Sequence, residues 1–122
     1  MTTAFFSPIA KRDSANLCRL SAAAAAAAFR VPFAALFAVN RCRRPIARAR
    51  QAAIYLAHVG FGLSYLQAGQ GFARDRTTVS HACALIEDAR EQRRLDLSLT
   101  WLEAALRHYA GYCASFDSPH QP

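Results

Sequence analysis

Arg76, Thr77, Thr78 and Ser80 lie within five residues and combine one guanidinium with three short hydroxyls. Such a set makes hydrogen bonds to a fixed pattern of acceptors rather than breaking bonds. A guanidinium fork fits the O6 and N7 acceptors of guanine. A threonine offers a hydroxyl to phosphate or base and a methyl to thymine. Arg74 and Asp75 immediately precede the set. Arg74 is placed for phosphate, and Ser80, one turn after Arg76, for phosphate or base. His81 adjoins an apolar stripe, which favours a structural partnership over base reading. Catalysis finds no support: no G-x-x-x-x-G-K-[ST] phosphate loop is present, and Lys11 is the sole lysine. Neither an ATP site nor an enzyme is expected. Cys18, Cys42, Cys83 and Cys113 are widely separated and lack metal-ligand spacing, so no metal or cofactor is expected and reduced thiols are the simpler reading.

The elements that must position these residues follow from periodicity. Asp75 has the chemistry of a helix N-cap. Val79, Ala82, Cys83 and Ile86 recur at i, i+3, i+4 and i+7, one buried stripe that leaves Arg76, Thr77, Ser80 and Ala84 on the opposite face. Upstream, Ser64 can cap a short helix with apolar contacts from Tyr65, Leu66 and Ala68, limited by Gly69 and Gly71. Short helix, tight turn and longer helix make a helix-turn-helix, whose second helix enters the major groove of double-stranded DNA.

The run Arg74-Asp-Arg-Thr-Thr-Val-Ser-His-Ala-Cys83, with Ile86-Glu87 after it, resembles the signature of the C-terminal DNA-binding domain of DnaA, the bacterial replication initiator. The resemblance continues upstream through Ile46–Ala57 and the Leu63-Ser64 helix start, and covers roughly residues 41–110. It implies an all-α small helical bundle and contacts to DNA from Arg48, Arg50, Gln51, Arg74, Asp75, Arg76, Thr77, Thr78, Ser80 and His81. It places Arg50 in the minor groove, where an arginine is favoured by the enhanced negative potential. The alternative, that Arg48 and Arg50 touch only phosphate, still implies DNA. Asp75 would accept from a base amino group as well as cap its helix. Two departures matter. Arg76 stands where the family usually has histidine, which puts the standard DnaA site in doubt as the target. Ala73 alone lies between Phe72 and Arg74 where two glycines are common, a turn one residue shorter that would tilt the recognition helix.

The charge distribution agrees with a DNA-binding surface. The 122 residues carry a formal charge of +7, from fourteen arginines and one lysine against eight carboxylates. Residues 41–80 hold seven of the cations and one carboxylate, whereas residues 81–122 hold four cations and six carboxylates. Five arginines fall between Arg41 and Arg50, with Pro45 near a helix start. On that helix Ala49, Ala53, Leu56 and Ala57 share one face, and Arg50 and Gln51 turn away from part of it.

Three segments are expected: an N-terminal arm with an alanine-rich helix (1–40), the helix-turn-helix domain (41–113) and a flexible tail (114–122). The run Ala22–Ala28 predicts a helix from about Asn16 to Arg30, after a loosely ordered start. Arg19, Arg30 and Pro32 interrupt the apolar stretch, so neither export nor a membrane span is expected, and the location implied is cytoplasmic. Phe33, Leu36 and Phe37 could form one more turn, either packing on the domain or serving self-association. A last helix from about Leu97 to Tyr112 should bury Trp101, Leu102, Ala105, Leu106 and Tyr109 behind the motif. The rival to DNA recognition is a protein-interaction module on the same fold, using Phe33, Phe37 and the C-terminal aromatics.

Overall fold

The computed structural model describes residues 11–38 and 44–117, with side chains over 13–38 and 44–111. Among the described residues five helices form the bundle: α1 (Lys11–Phe29), α2 (Arg44–Val59), α3 (Tyr65–Phe72), α4 (Arg76–Ala89) and α5 (Arg93–Asp117). A short 3-10 segment, Phe33–Phe37, follows α1. No strand occurs among the described residues. None of the helices searched is long and apolar enough to cross a membrane.

Helix α1 begins at Lys11 and not near Asn16, so the loose start expected over residues 11–16 is helical. Asp13 in its first turn is favourable at the positive end of the helix, and Ser14 is buried. Cys18, Ala22, Ala25 and Ala26 bury one face of α1 in the same core as the helix-turn-helix. These small side chains let α1 approach α3 closely: a Cβ on Gly71 would stand 2.7 Å from Cys18 Cβ and nearer still to its sulfur. The chain leaves α1 through Arg30 in the left-handed region (φ 58°), and Val31 N–H donates to the Ala26 carbonyl at 3.0 Å. Leu36 is buried, and the Phe37 ring stacks on Phe72 at 5.3 Å. The aromatic segment therefore packs on the domain.

Helix α2 is the centre of the bundle. Ala49, Ala52, Ala53, Ile54, Tyr55, Leu56 and Ala57 are all buried, more than the single face expected, because α1, α3, α4 and α5 all contact it. His58 Nδ1 donates to the Leu63 carbonyl at 2.7 Å, and its ring packs on Tyr65 at 4.5 Å, fixing the turn into α3.

Helix α3 corrects two expectations. It runs through Gly69 and Gly71 to Phe72, so neither glycine limits it; both are places of close approach, Gly71 to α1 and Gly69 to the Arg74 carbonyl, which a Cβ would meet at 2.5 Å. Leu66, expected among its apolar contacts, is 54% exposed, while Ala68 and Phe72 are buried.

Helix α5 starts four residues earlier than expected, and its backbone runs into the expected tail as far as Asp117; residues 118–122 lie outside the described residues. Its buried positions are Leu99, Glu103 and Leu106, with Leu95 and Leu102 partly buried beside them. Trp101 is 76% exposed, and Ala105 and Tyr109 are exposed too, so the stripe expected to cover the motif is rotated by part of a turn. A polar hub sets this rotation. Arg90 donates to Asp96 Oδ1 at 2.6 Å, to Thr100 Oγ1 at 2.8 Å, to the Tyr55 hydroxyl at 2.9 Å and to Glu103. Tyr55 in turn donates to Glu87 Oε2 at 2.9 Å. Turning Glu103 outward would leave the guanidinium without one of its carboxylates, which is costlier at a buried site than exposing a tryptophan.

Candidate nucleic-acid interface

Three backbone devices set the entry to α4. Ser64 and Gln67 form a reciprocal capping box at the start of α3, with Gln67 N–H on Ser64 Oγ at 3.0 Å and Ser64 N–H on Gln67 Oε1 at 2.9 Å. The chain then reverses at Ala73, left-handed at φ 58° and ψ 45°. Arg74 N–H closes the turn onto the Gly69 carbonyl at 2.8 Å. A left-handed alanine is costlier than glycine, and the single residue here makes the reversal tight. Asp75, the N-cap, accepts the Thr78 N–H on Oδ1 at 2.8 Å. The Thr78 backbone bond, followed by its side chain, holds the exposed Asp75 carboxyl below the usual carboxylate range.

Beyond the cap, α4 divides by face. Val79, Ala82, Cys83 and Ile86 are buried, whereas Arg76, Thr77, Thr78, Ser80 and His81 are exposed. The exposed residues border two shallow concavities. Asp75, Arg76, Thr77 and Ser80 line one together with Tyr65, the first residue of α3. Thr78 and His81 line the other with Gln51, Arg50, Arg74 and Ala47. Eight of the ten expected contacts gather around the start of α4, the Arg74 guanidinium already engaged; the exceptions are Arg50, which lines the second concavity with its guanidinium turned onto backbone carbonyls, and Arg48, which lines neither. The sequence marks Tyr65 only as an apolar contact of α3. Its place directly after the Ser64 cap is the signal that it stands beside α4.

The two exceptions differ from each other. Arg50 Nε donates to the Leu36 carbonyl at 3.0 Å, and its Nη2 donates to Ala35 at 3.0 Å and Ala38 at 3.2 Å. Its guanidinium closes the carbonyl end of the 3-10 segment instead of facing outward, as a cation does at a helix C-terminus. Arg74 reaches the same Ala38 oxygen with Nη2 at 3.0 Å and bonds Phe72 and Ala73 carbonyls with Nη1. Arg48 lies on the other flank of α2, where it lines a concavity with Arg44, Gln51 and Leu85. Its Nη1 is buried and has no hydrogen-bond partner. Of the basic run upstream, Arg41 and Arg43 fall outside the described residues.

No curated protein matches the chain as a relative. Residues 22–86 do match a family, described as the bacterial dnaA protein helix-turn-helix. The match opens within α1, earlier than the resemblance carried by the motif residues, and closes near the end of α4, so it spans the arm, the central helix and the motif. It takes in more than half of the chain, which belongs to the DnaA C-terminal family of DNA-binding helix-turn-helix proteins.

Proposed function

We propose that this protein recognises specific sites in double-stranded DNA by laying the N-terminal half of α4 in the major groove, and that it acts in the cytoplasm as a regulator of transcription or replication, without catalysis or ATP. The observation that carries the reading is the division of α4: a buried apolar stripe behind an exposed set of one guanidinium and short hydroxyls at its N-terminal end. Arg76 is the residue assigned to guanine. Thr77, Thr78 and Ser80 complete the readout, and the positive end of the α4 dipole adds attraction for phosphate. Arg48, which lines an open concavity with Arg44 and Gln51, suits the minor groove or the phosphates better than Arg50, whose guanidinium is bonded to three backbone carbonyls.

Selection of bound sites from random duplex DNA at near-physiological salt tests this. A single enriched motif is expected, and Arg76→Ala should weaken binding to it by about 1–3 kcal/mol while relaxing preference at one base pair. Recovery of unenriched sequence, with weak binding that vanishes as salt rises, would defeat the specific reading. A second reading, a protein-interaction module, draws on the exposed Trp101 and Leu97. Both residues lie on α5 rather than α4, so the two activities can coexist.

A further inference from the structure

Helix α5 carries a second apolar stripe, on the side turned away from the bundle. Leu97, Trp101, Ala104 and His108 follow at i, i+4, i+7 and i+11 and are all exposed, Leu97 at 48% and Trp101 at 76%. That spacing is the seam along which one helix takes another. A tryptophan exposed to this degree on a well-formed helix leaves a large apolar surface in water, and aromatic side chains so placed are characteristic anchors of interfaces.

The charges beside the stripe narrow the partner. Arg93 and Arg94 stand exposed at its start and Arg107 beside its far end. Of the two carboxylates among the described side chains of α5, Asp96 is held by Arg90, and Glu103 by Arg90 and, at 3.8 Å, by Arg107. The outer face is therefore apolar along its middle and cationic at its start, where Arg93 and Arg94 stand. Among the described side chains of α5, a second copy docking through this helix would bring Arg93 and Arg94 no carboxylate that is not already engaged. A helix with apolar residues at the same spacing and carboxylates on its flanks would instead pair with them.

We propose that the outer face of α5 is a docking site for an acidic amphipathic helix of another protein, centred on Trp101. The site is separate from the DNA-reading face of α4, so a bound partner leaves α4 accessible.

Trp101 is the one tryptophan of the chain and reports on its own face. The full-length protein is titrated with a synthetic helical peptide bearing leucines at heptad spacing flanked by glutamates, and with the same peptide carrying lysines for glutamates. The glutamate peptide should shift Trp101 emission to the blue and bind saturably, and the lysine peptide should do neither. With the peptide labelled and followed by anisotropy, Trp101→Ser should weaken binding about thirtyfold. Arg93→Glu with Arg94→Glu should weaken it roughly tenfold, with unchanged helicity and melting temperature. Equal binding of both peptides, or of neither, overturns the proposal. So does emission that is already blue and shifts with protein concentration, which would assign the face to a second copy. Emission that turns red only when residues 1–10 or 118–122 are removed would assign it to the chain's own ends. A response of Trp101 to duplex DNA alone would assign it to nucleic acid, and a failure of DNA binding itself leaves these peptide readouts unaffected.

Discussion

Asp75 shows how much one side chain does at the start of α4. Its carboxylate closes the first turn of α4, and the bonds that close it favour the ionised form. The folded carboxyl therefore titrates below its ordinary value of 3.8. The sign follows directly: the cap contributes its full stability above the unfolded value and loses it as pH falls through the lower folded value. Asparagine caps helices about as well as aspartate but does not titrate in this range. Asp75→Asn should thus leave stability near neutrality little changed and flatten part of the acid limb of a melting-temperature profile between about pH 5 and pH 2. A profile parallel to the wild type's would remove the cap bond as the cause. Because the same carboxylate faces the concavity that holds Arg76 and Thr77, the variant also separates capping from contact with a base amino group, through its effect on the selected DNA site.

At the scale of elements, the 3-10 segment is fastened by groups that are distant in sequence. Phe37 stacks on α3, Leu36 enters the core, and Arg50 and Arg74 grip the carbonyl end. Arg50→Ala should cost about 1.5–3 kcal/mol, the range for hydrogen bonds to a charged group, and should raise amide exchange at Ala38. Arg50→Lys should recover little of this, since an ammonium lacks the planar fork that reaches three carbonyls. An unchanged exchange pattern would show that the segment is held by its aromatics alone. This clasp was not legible in the sequence, because backbone carbonyls 12–15 residues away leave no mark on residue type. The motif itself was legible: the stripe of α4, its Asp75 cap and the Ser64 cap of α3 all depend on local spacing and local bonds. Helix α5 fell between these cases. Apolar residues at Leu95, Leu99, Leu102 and Leu106 compete with a second set at Leu97 and Trp101. Only the Arg90 hub, assembled from three helices and the turn between α4 and α5, decides which set faces inward.

At the scale of the whole bundle, two thiols and a phenol sit at joints between helices. Burial pushes the Cys18 and Cys83 thiols up to about 11 and the Tyr55 hydroxyl up to about 12. A raised acid contributes stability that is complete below its unfolded value and is lost as pH rises through the folded one. The bundle should hold its melting temperature to about pH 9 and lose it progressively towards pH 12. Cys18→Ala and Tyr55→Phe should each make that decline shallower, measured against their own neutral values. A flat wild-type profile would mean that the interfaces admit water before the groups ionise. The contact between Cys18 and Gly71 reaches further than stability. Neither position can accept a larger residue while the other stays as it is, so the two are free to drift only together. The motif and the alanine-rich helix are in this sense one heritable unit. Anyone transplanting the helix-turn-helix into another protein would have to cut before α1, since a cut at the basic run leaves Gly71 facing a groove with nothing in it.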